Sequence, residues 1–457
     1  MLTTIVVVVA LYFIAMLGIG WYGRRYATDF DGYLSMGRSG GVLLLMGGCI
    51  GANIGNGFVV GGAGGGAAQG LAGSAYGIAC AVTALVGGVI LNDFIYKNDY
   101  QSLADFTRKR YKSEVPGVIY DVSTACASVG LLAGQLMAGK ALFEALGLPG
   151  VAGVLLISVV VFGYSQLAGL WGAYATSVIQ TAVIAIGLLL TFGVLVGNGA
   201  IETIRAAQAA GTAVPGALDF SGTTPAAFMA MALPTVLGLT TDQVMFTRVT
   251  SAKDARTSKI AHILSFIVMI PLALMPAFIG AYGGTVYGAT GDSAFFTVIM
   301  NELPSIVCAI IIAAVLAAVM STIDCGFITM SSVITRDILQ GTLKKEYTEK
   351  QLSKITIVMN VCFMVAGVYL ALNAGSILDI LNSFYSFLAA ACFVPFVGGI
   401  VWKKGTSKGA IAASLLGVGT VILGWLGVSL PSLGGFFPCI PSAIGFVAVS
   451  LLAPDKE

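Results

Sequence analysis

Stretches of about twenty apolar residues recur along the whole chain, separated by short polar joins. A helix needs about that many residues to cross the hydrocarbon of a bilayer. The pattern predicts thirteen spans, at 3–23, 41–66, 70–95, 118–146, 150–171, 173–197, 226–246, 260–284, 305–335, 354–374, 376–400, 409–429 and 436–453. Two of them are odd. The span at 41–66 contains GANIGNGFVVGGAGGG, with Asn53 and Asn56 at membrane depth. The span at 226–246 contains PTVLGLTTDQVMF, with Gly238, Thr240, Thr241, Asp242 and Gln243 at similar depth. Glycine weakens a helix by about 1 kcal/mol relative to alanine, and a buried amide needs partners in hydrocarbon.

Composition agrees with this reading. The chain is 57% hydrophobic and 10% charged over 457 residues, against about 25% charged in a soluble domain. That excludes a soluble enzyme and a nucleic-acid-binding protein. It points to an all-α polytopic protein of the plasma (inner) membrane, surrounded by lipid. The eight cysteines are scattered and His262 is the only histidine, so neither a zinc site nor a disulfide framework is expected. No cofactor and no catalytic cluster is expected.

The placement of charge orients the spans. With the N-terminus outside, 21 of the 23 Lys and Arg fall in inward loops, the exceptions being Lys140 and Arg205. This is the asymmetry of the positive-inside rule, and it predicts a cytoplasmic C-terminus.

Setting aside the extra helix at 3–23, the next ten spans divide into two halves, 41–197 and 226–400, that start on opposite sides of the membrane. Two helices, at 409–453, remain. Each half opens with one of the odd spans. Interrupted apolar segments at matching places in inverted halves mark the binding site of a secondary transporter. Unwound backbone is tolerated at that depth only where it lines a cavity or is buried in protein. For GGAGGG alone, close helix packing through small residues is an equal alternative. A further polar feature lies in span 305–335. Ala318, Ser321 and Thr322 share one helix face at i, i+3 and i+4, and their oxygens are hard donors suited to a small cation. The alternative is hydroxyls bonding back to their own helix.

At this point the chain resembles the sodium:solute symporters. The resemblance rests on FDGYLSMGRSGG (30–41), SLADFTRKRY (102–111), YSQLAGLWGAYATSVIQ (164–180), DQVMFTRVTSAKDARTSK (242–259) and AAVMSTIDCGFITMSSVITRDIL (317–339). It covers about residues 5–405 and implies a leucine-transporter-type fold with five-plus-five inverted repeats. It also implies a sodium site made by the carbonyls of Ala52, Gly55 and Ala318 and the hydroxyls of Ser321 and Thr322. Relatives usually carry Thr-Asp where this chain has Thr176-Ser177, and in some of them the aspartate helps hold a second sodium.

For the solute, Asp242 is the residue to explain, because an acid at that depth costs at least about 2.5–3.5 kcal/mol. It reads as the partner of a cationic solute group, as a proton carrier, or as an ion-pair partner of Arg248. The four tryptophans, Trp21, Trp171, Trp402 and Trp425, all lie outside the broken helices. Matching the choline-type pattern of the family puts Asn53 and Asp242 where cage tryptophans would fall. An amine-bearing solute or amino acid is therefore expected, with Asn53, Asn56, Phe58, Gln69, Gln135, Thr241, Asp242, Gln243 and Tyr385 as candidate contacts and Tyr76 beside them. The competing readings are a proton-coupled carrier using Asp242 or Asp324, and a symporter for a quaternary ammonium or a monocarboxylate.

Overall fold

Inside lipid a chain must satisfy its own backbone polar groups, and helices do so within one segment. The computed structural model describes residues 2–23, 38–98, 100, 102–431 and 434–454, of which 2, 16–17, 19–23, 164–176 and 434 are described by backbone alone. The described residues form helices and no strand, only an isolated bridge between Gly40 and Ala252. Residues 30–37 of the first motif, Arg24, Arg25 and Lys456 lie outside the described residues, as do the side chains of Trp21 and Trp171.

The first helix, α1 (Leu2–Gly23), precedes the first broken pair. Helix α2 (Val42–Asn53) stops where Ile54 turns to φ −83°, ψ 67°. The chain resumes as a π turn at Gly57–Gly61 and α3 (Gly62–Gln69). After α4 (Ala75–Leu85), a second π turn leads into α5 (Asn92–Asn98). A short α6 (Leu103–Tyr111) joins this to α7 (Glu114–Ala145). Next comes α8 (Gly150–Gly197), 48 residues without a break, where two spans were expected at 150–171 and 173–197. Its length of roughly 72 Å at 1.5 Å per residue is more than twice the hydrocarbon thickness, and no turn separates the two expected spans in it. The hydropathy pattern divides such a run by membrane thickness, not by any breaker in the chain. Outside it runs α9 (Ala200–Ala210).

The second broken pair is α10 (Pro225–Thr240) and α11 (Gln243–Thr250). Pro225 stands at the start of α10, where a missing N–H costs nothing, and Thr224 caps it. Then follow α12 (Ala255–Tyr287), capped by Asp254, and α13 (Ala294–Glu302). The next span, α14 (Ser305–Ser332), runs on as a π segment to Thr342. After it come α15 (Glu349–Asn373), α16 (Ile377–Leu388), a π turn and α17 (Val394–Val401), then α18 (Ser407–Trp425) and α19 (Cys439–Leu452). Among the described residues, eight helical stretches are long and apolar enough to cross a membrane, and five more are apolar but shorter. Each expected span overlaps one of these.

Burial separates the centre from the rim. The most apolar window of α14 is 78% buried, against 33% for α15 and α18. Leu11, Val159, Val365, Tyr369 and Leu415 are among the large apolar side chains left exposed. Such a surface suits lipid. The glycine run settles one question. A Cβ on Gly66 would strike the Ala277 carbonyl, and one on Gly280 would strike the Ala63 carbonyl. GGAGGG is therefore a seam along which α3 and α12 approach backbone to backbone. The opening of the helix lies earlier, at residues 54–56.

Candidate functional site

The break between α2 and α3 faces α14. Ser321, wholly buried, donates to the Gly51 carbonyl at 2.8 Å and to the Ala318 carbonyl at 3.0 Å. Thr322 donates to the same two carbonyls at 3.4 and 3.0 Å. Four oxygens thus converge from two helices. The hydroxyls bond back to their own helix and also reach across to the break. Gly55 packs against this cluster: a Cβ there would lie 2.8 Å from Thr322 Oγ1 and 2.7 Å from Gln135 Oε1. The Gly51 carbonyl was not anticipated. A backbone oxygen has no side-chain signature, and the family pattern points one residue on, to Ala52. A cavity of about 30 Å3, lined by Gln135, Thr322 and Gly326 among others, adjoins the cluster. That is room for one water or one small ion.

The oxygen set fits sodium. Sodium is close to calcium in size, and calcium takes oxygens at about 2.3–2.6 Å, which sets neighbouring oxygens about 3.4 Å apart. Contacts of 2.8–3.4 Å need open by only a few tenths of an ångström. The cluster contains no nitrogen, sulfur or imidazole that would favour a transition metal.

Ser177, in the place of the family's usual aspartate, packs directly behind this cluster. A Cβ on Gly51 would lie 2.8 Å from Ser177 Cβ and 3.1 Å from its Oγ. Gly55 is crowded as well, by the Gln135 amide and the Thr322 hydroxyl. Gly55→Ala is expected to raise half-saturating sodium about five- to tenfold, the cost of modest overpacking, with the glutamine amide taking up part of the strain. Sodium titration of uptake by the variant tests this.

Asn56 ties the break to α7. Its backbone N–H donates to Gln135 Oε1 at 2.8 Å, and its Nδ2 donates to the Gly134 carbonyl at 2.7 Å. The second bond fixes the amide's orientation, because the reverse would set two oxygens against each other. Asn56 Oδ1 is then a buried acceptor with no hydrogen-bond partner. An unpaired buried acceptor costs about 1–3 kcal/mol. Asn53, by contrast, spends its amide on the Cys49 carbonyl of its own helix at 2.9 Å.

The second break is organised by Asp242, which is buried and accepts from the Val244 N–H at 2.9 Å, capping α11. Thr241 bonds back to the Gly238 carbonyl at 3.0 Å, and its own carbonyl accepts from the Tyr120 hydroxyl. Tyr385 links the two breaks. A Cβ on Gly238 would strike its backbone, and its ring centroid lies 6.3 Å from that of Tyr76, which packs on Gly57. Phe58 is buried beside Gly77 on the same side.

Two candidates lie elsewhere. Gln69 ends α3, thirteen residues beyond Asn56, against the loop at Gly216 and Gly222. Gln243 accepts from the Leu103 N–H at 3.2 Å and lines a cavity of about 830 Å3 on the Lys- and Arg-rich face. In that cavity Arg108 bridges Asp121 at 2.5 Å and Glu114 at 3.1 Å, holding α6 to α7.

Comparison with known proteins gives the family and the fold. Residues 33–417 match the family model described as the sodium:solute symporter family. The chain is 24% identical over 470 residues to the osmoregulated proline transporter OpuE of Bacillus subtilis, covering 98% of this chain and 94% of that one. It is 26% identical over 361 residues to a sodium/pantothenate symporter of Haemophilus influenzae, covering 76% of this chain and 73% of that one. Among solved structures, a Na+-coupled sialic acid symporter in a substrate-bound outward-open state superposes with a TM-score of 0.83 at 19% identity, covering 99% of this chain and 98% of that one. The fold is shared.

Proposed function

The chain belongs to the sodium:solute symporter family, and from that premise we propose that it imports a small amine-bearing solute or amino acid by coupling it to sodium. The observation that carries the sodium half is the meeting of the Ser321 and Thr322 hydroxyls, beside the Ala318 carbonyl, with the Gly51 carbonyl of the first broken helix. Sodium held there by Gly51 or Ala52, Gly55, Ala318, Ser321 and Thr322 bridges α14 to the break. The ion thereby fixes the conformation of α2 and α3 around the solute.

The solute half rests on Asn56 Oδ1 and Asp242. One is a buried acceptor awaiting a donor, and the other is a buried carboxylate at the facing break. An ammonium supplies both a charge and N–H donors. Proline carries such a group, and OpuE is a proline transporter. Asn53, Phe58, Gln135, Thr241, Tyr76 and Tyr385 shape the surroundings. Gln243, together with the cavity beneath it, belongs to the path on the Lys- and Arg-rich side, which the charge asymmetry makes cytoplasmic. Alternating access follows from movement between the halves at 41–197 and 226–400. Every role here is transport, and no residue is assigned to catalysis.

Uptake into proteoliposomes tests the proposal. Radiolabelled amino acids should accumulate under an inward sodium gradient, with a Hill coefficient near one for sodium, because Ser177 offers no second carboxylate. Accumulation in potassium buffer under a pH gradient alone would transfer the coupling to a proton on Asp242 or Asp324. A coefficient clearly above one, supported by reversal potentials, would place a second ion.

A further inference from the structure

On the Lys- and Arg-rich face, away from the solute path, a separate cleft of about 700 Å3 opens between the end of α6, the turn after α17 and the end of α19. Its charged lining among the described residues is entirely basic: Arg110, Lys112, Lys403 and Lys404. Arg110 builds the cleft. Its Nε donates to the Gly399 carbonyl at 2.7 Å, and its Nη2 donates to the carbonyls of Trp402 and Lys403 at 2.9 and 3.1 Å. That clamp holds the turn bearing the two lysines against α6. Thr406 is fixed from the other side, its N–H donating to Ser450 Oγ at 3.1 Å.

Two features of this turn run against local preference. Lys112 ends α6 in the left-handed region, at φ 47°, where glycine or asparagine is the usual residue. Helix α18 begins with Lys408 in its first turn, two lysines just before it and no acidic residue. The N-terminus of a helix is the positive end of its dipole, so cations gathered there repel it. An anion in the cleft relieves the second, by offsetting the charge gathered at the start of α18. Beside the cleft the surface turns apolar: Val401, Leu451 and Leu452 are 73%, 60% and 84% exposed, and the Trp402 ring packs on Phe446 at the border.

We propose that this cleft binds the phosphate headgroup of an anionic phospholipid of the inner leaflet, with the acyl chains running along Val401, Leu451 and Leu452. Lysine holds phosphate as a point charge, and basic pockets between spans on the cytoplasmic side take anionic headgroups. The apolar flank favours a lipid over free phosphate, which has no use for it.

The test is the melting temperature of the purified full chain in detergent, titrated with short-chain phosphatidylglycerol, short-chain phosphatidylcholine or inorganic phosphate. Phosphatidylglycerol should raise the melting temperature in a saturable way, and phosphatidylcholine should not. In the Lys112→Gln/Lys403→Gln/Lys404→Gln variant the concentration for half the shift should rise at least about tenfold. A second variant with equal charge loss outside the cleft, Lys344→Gln/Lys345→Gln/Lys350→Gln, should keep the wild-type response. Equal shifts from the two lipids, or equal losses in the two variants, would overturn the site. Inorganic phosphate matching phosphatidylglycerol at equal concentration would overturn its assignment to lipid.

Discussion

Replacing Ser321 or Thr322 by alanine is expected to raise the sodium concentration for half-maximal uptake by about 10- to 150-fold. A hydrogen-bonding group facing a charge is worth about 1.5–3 kcal/mol, and each variant removes one ligand oxygen of that kind. The double variant should show no sodium-driven uptake. The losses should not arise from misfolding. Ser321 is wholly buried, but alanine is smaller and leaves no new polar atom behind. The Gly51 carbonyl keeps the other hydroxyl as a donor in each single variant. Melting temperatures measured without sodium should stay close to wild type, while the stabilisation that added sodium gives by mass action should shrink. Thr322→Ser keeps the oxygen and should restore most of the affinity. If both alanine variants titrate with sodium as the wild type does, the ion is bound elsewhere and the cluster is only a tie between α14 and α2.

The two breaks were legible because each concentrates residues that give up helix stability for polar capacity. Asn56 beside two glycines, and Asp242 after Thr240 and Thr241, mark the points where α2 and α10 end. Glycine alone was ambiguous. The same residue that lets a helix open also lets two backbones touch, and GGAGGG proved to be the second kind. Which side of a break a polar residue serves was also hidden. Gln69 and Gln243 lie next to the broken helices in the chain, yet α3 carries the first away to its end, and α6 draws the second toward the cavity on the Lys- and Arg-rich face. The Gly134 carbonyl, which orients Asn56, comes from 78 residues away, a contact that only tertiary packing creates.

The largest expected effect on the solute side comes from Asp242→Asn. It should weaken solute binding by about 1.5–3 kcal/mol, the range for a hydrogen bond to a charged group, or about 10- to 150-fold. The substitution is well posed because Asp242 does two jobs that asparagine separates. As a cap it accepts from the Val244 N–H at 2.9 Å, and asparagine caps helices about as well as aspartate. As a buried carboxylate it would pair with the ammonium of the proposed solute, and asparagine would not. Asp242→Ala loses both, adding about 1 kcal/mol of lost capping to the instability of α11. A fall in solute affinity shared by the two variants, with a fall in melting temperature only in Asp242→Ala, would separate recognition from folding. Sodium affinity measured without solute should be nearly unchanged in Asp242→Asn, since the proposed sodium ligands come from the first break and α14 and not from the second break. Wild-type transport by Asp242→Asn would make the carboxylate a structural group, a cap of α11 and a partner of Arg248. The solute would then be sought among carboxylates such as pantothenate, which lack an amine, with Asn56 Oδ1 accepting from a hydroxyl or amide of the solute instead.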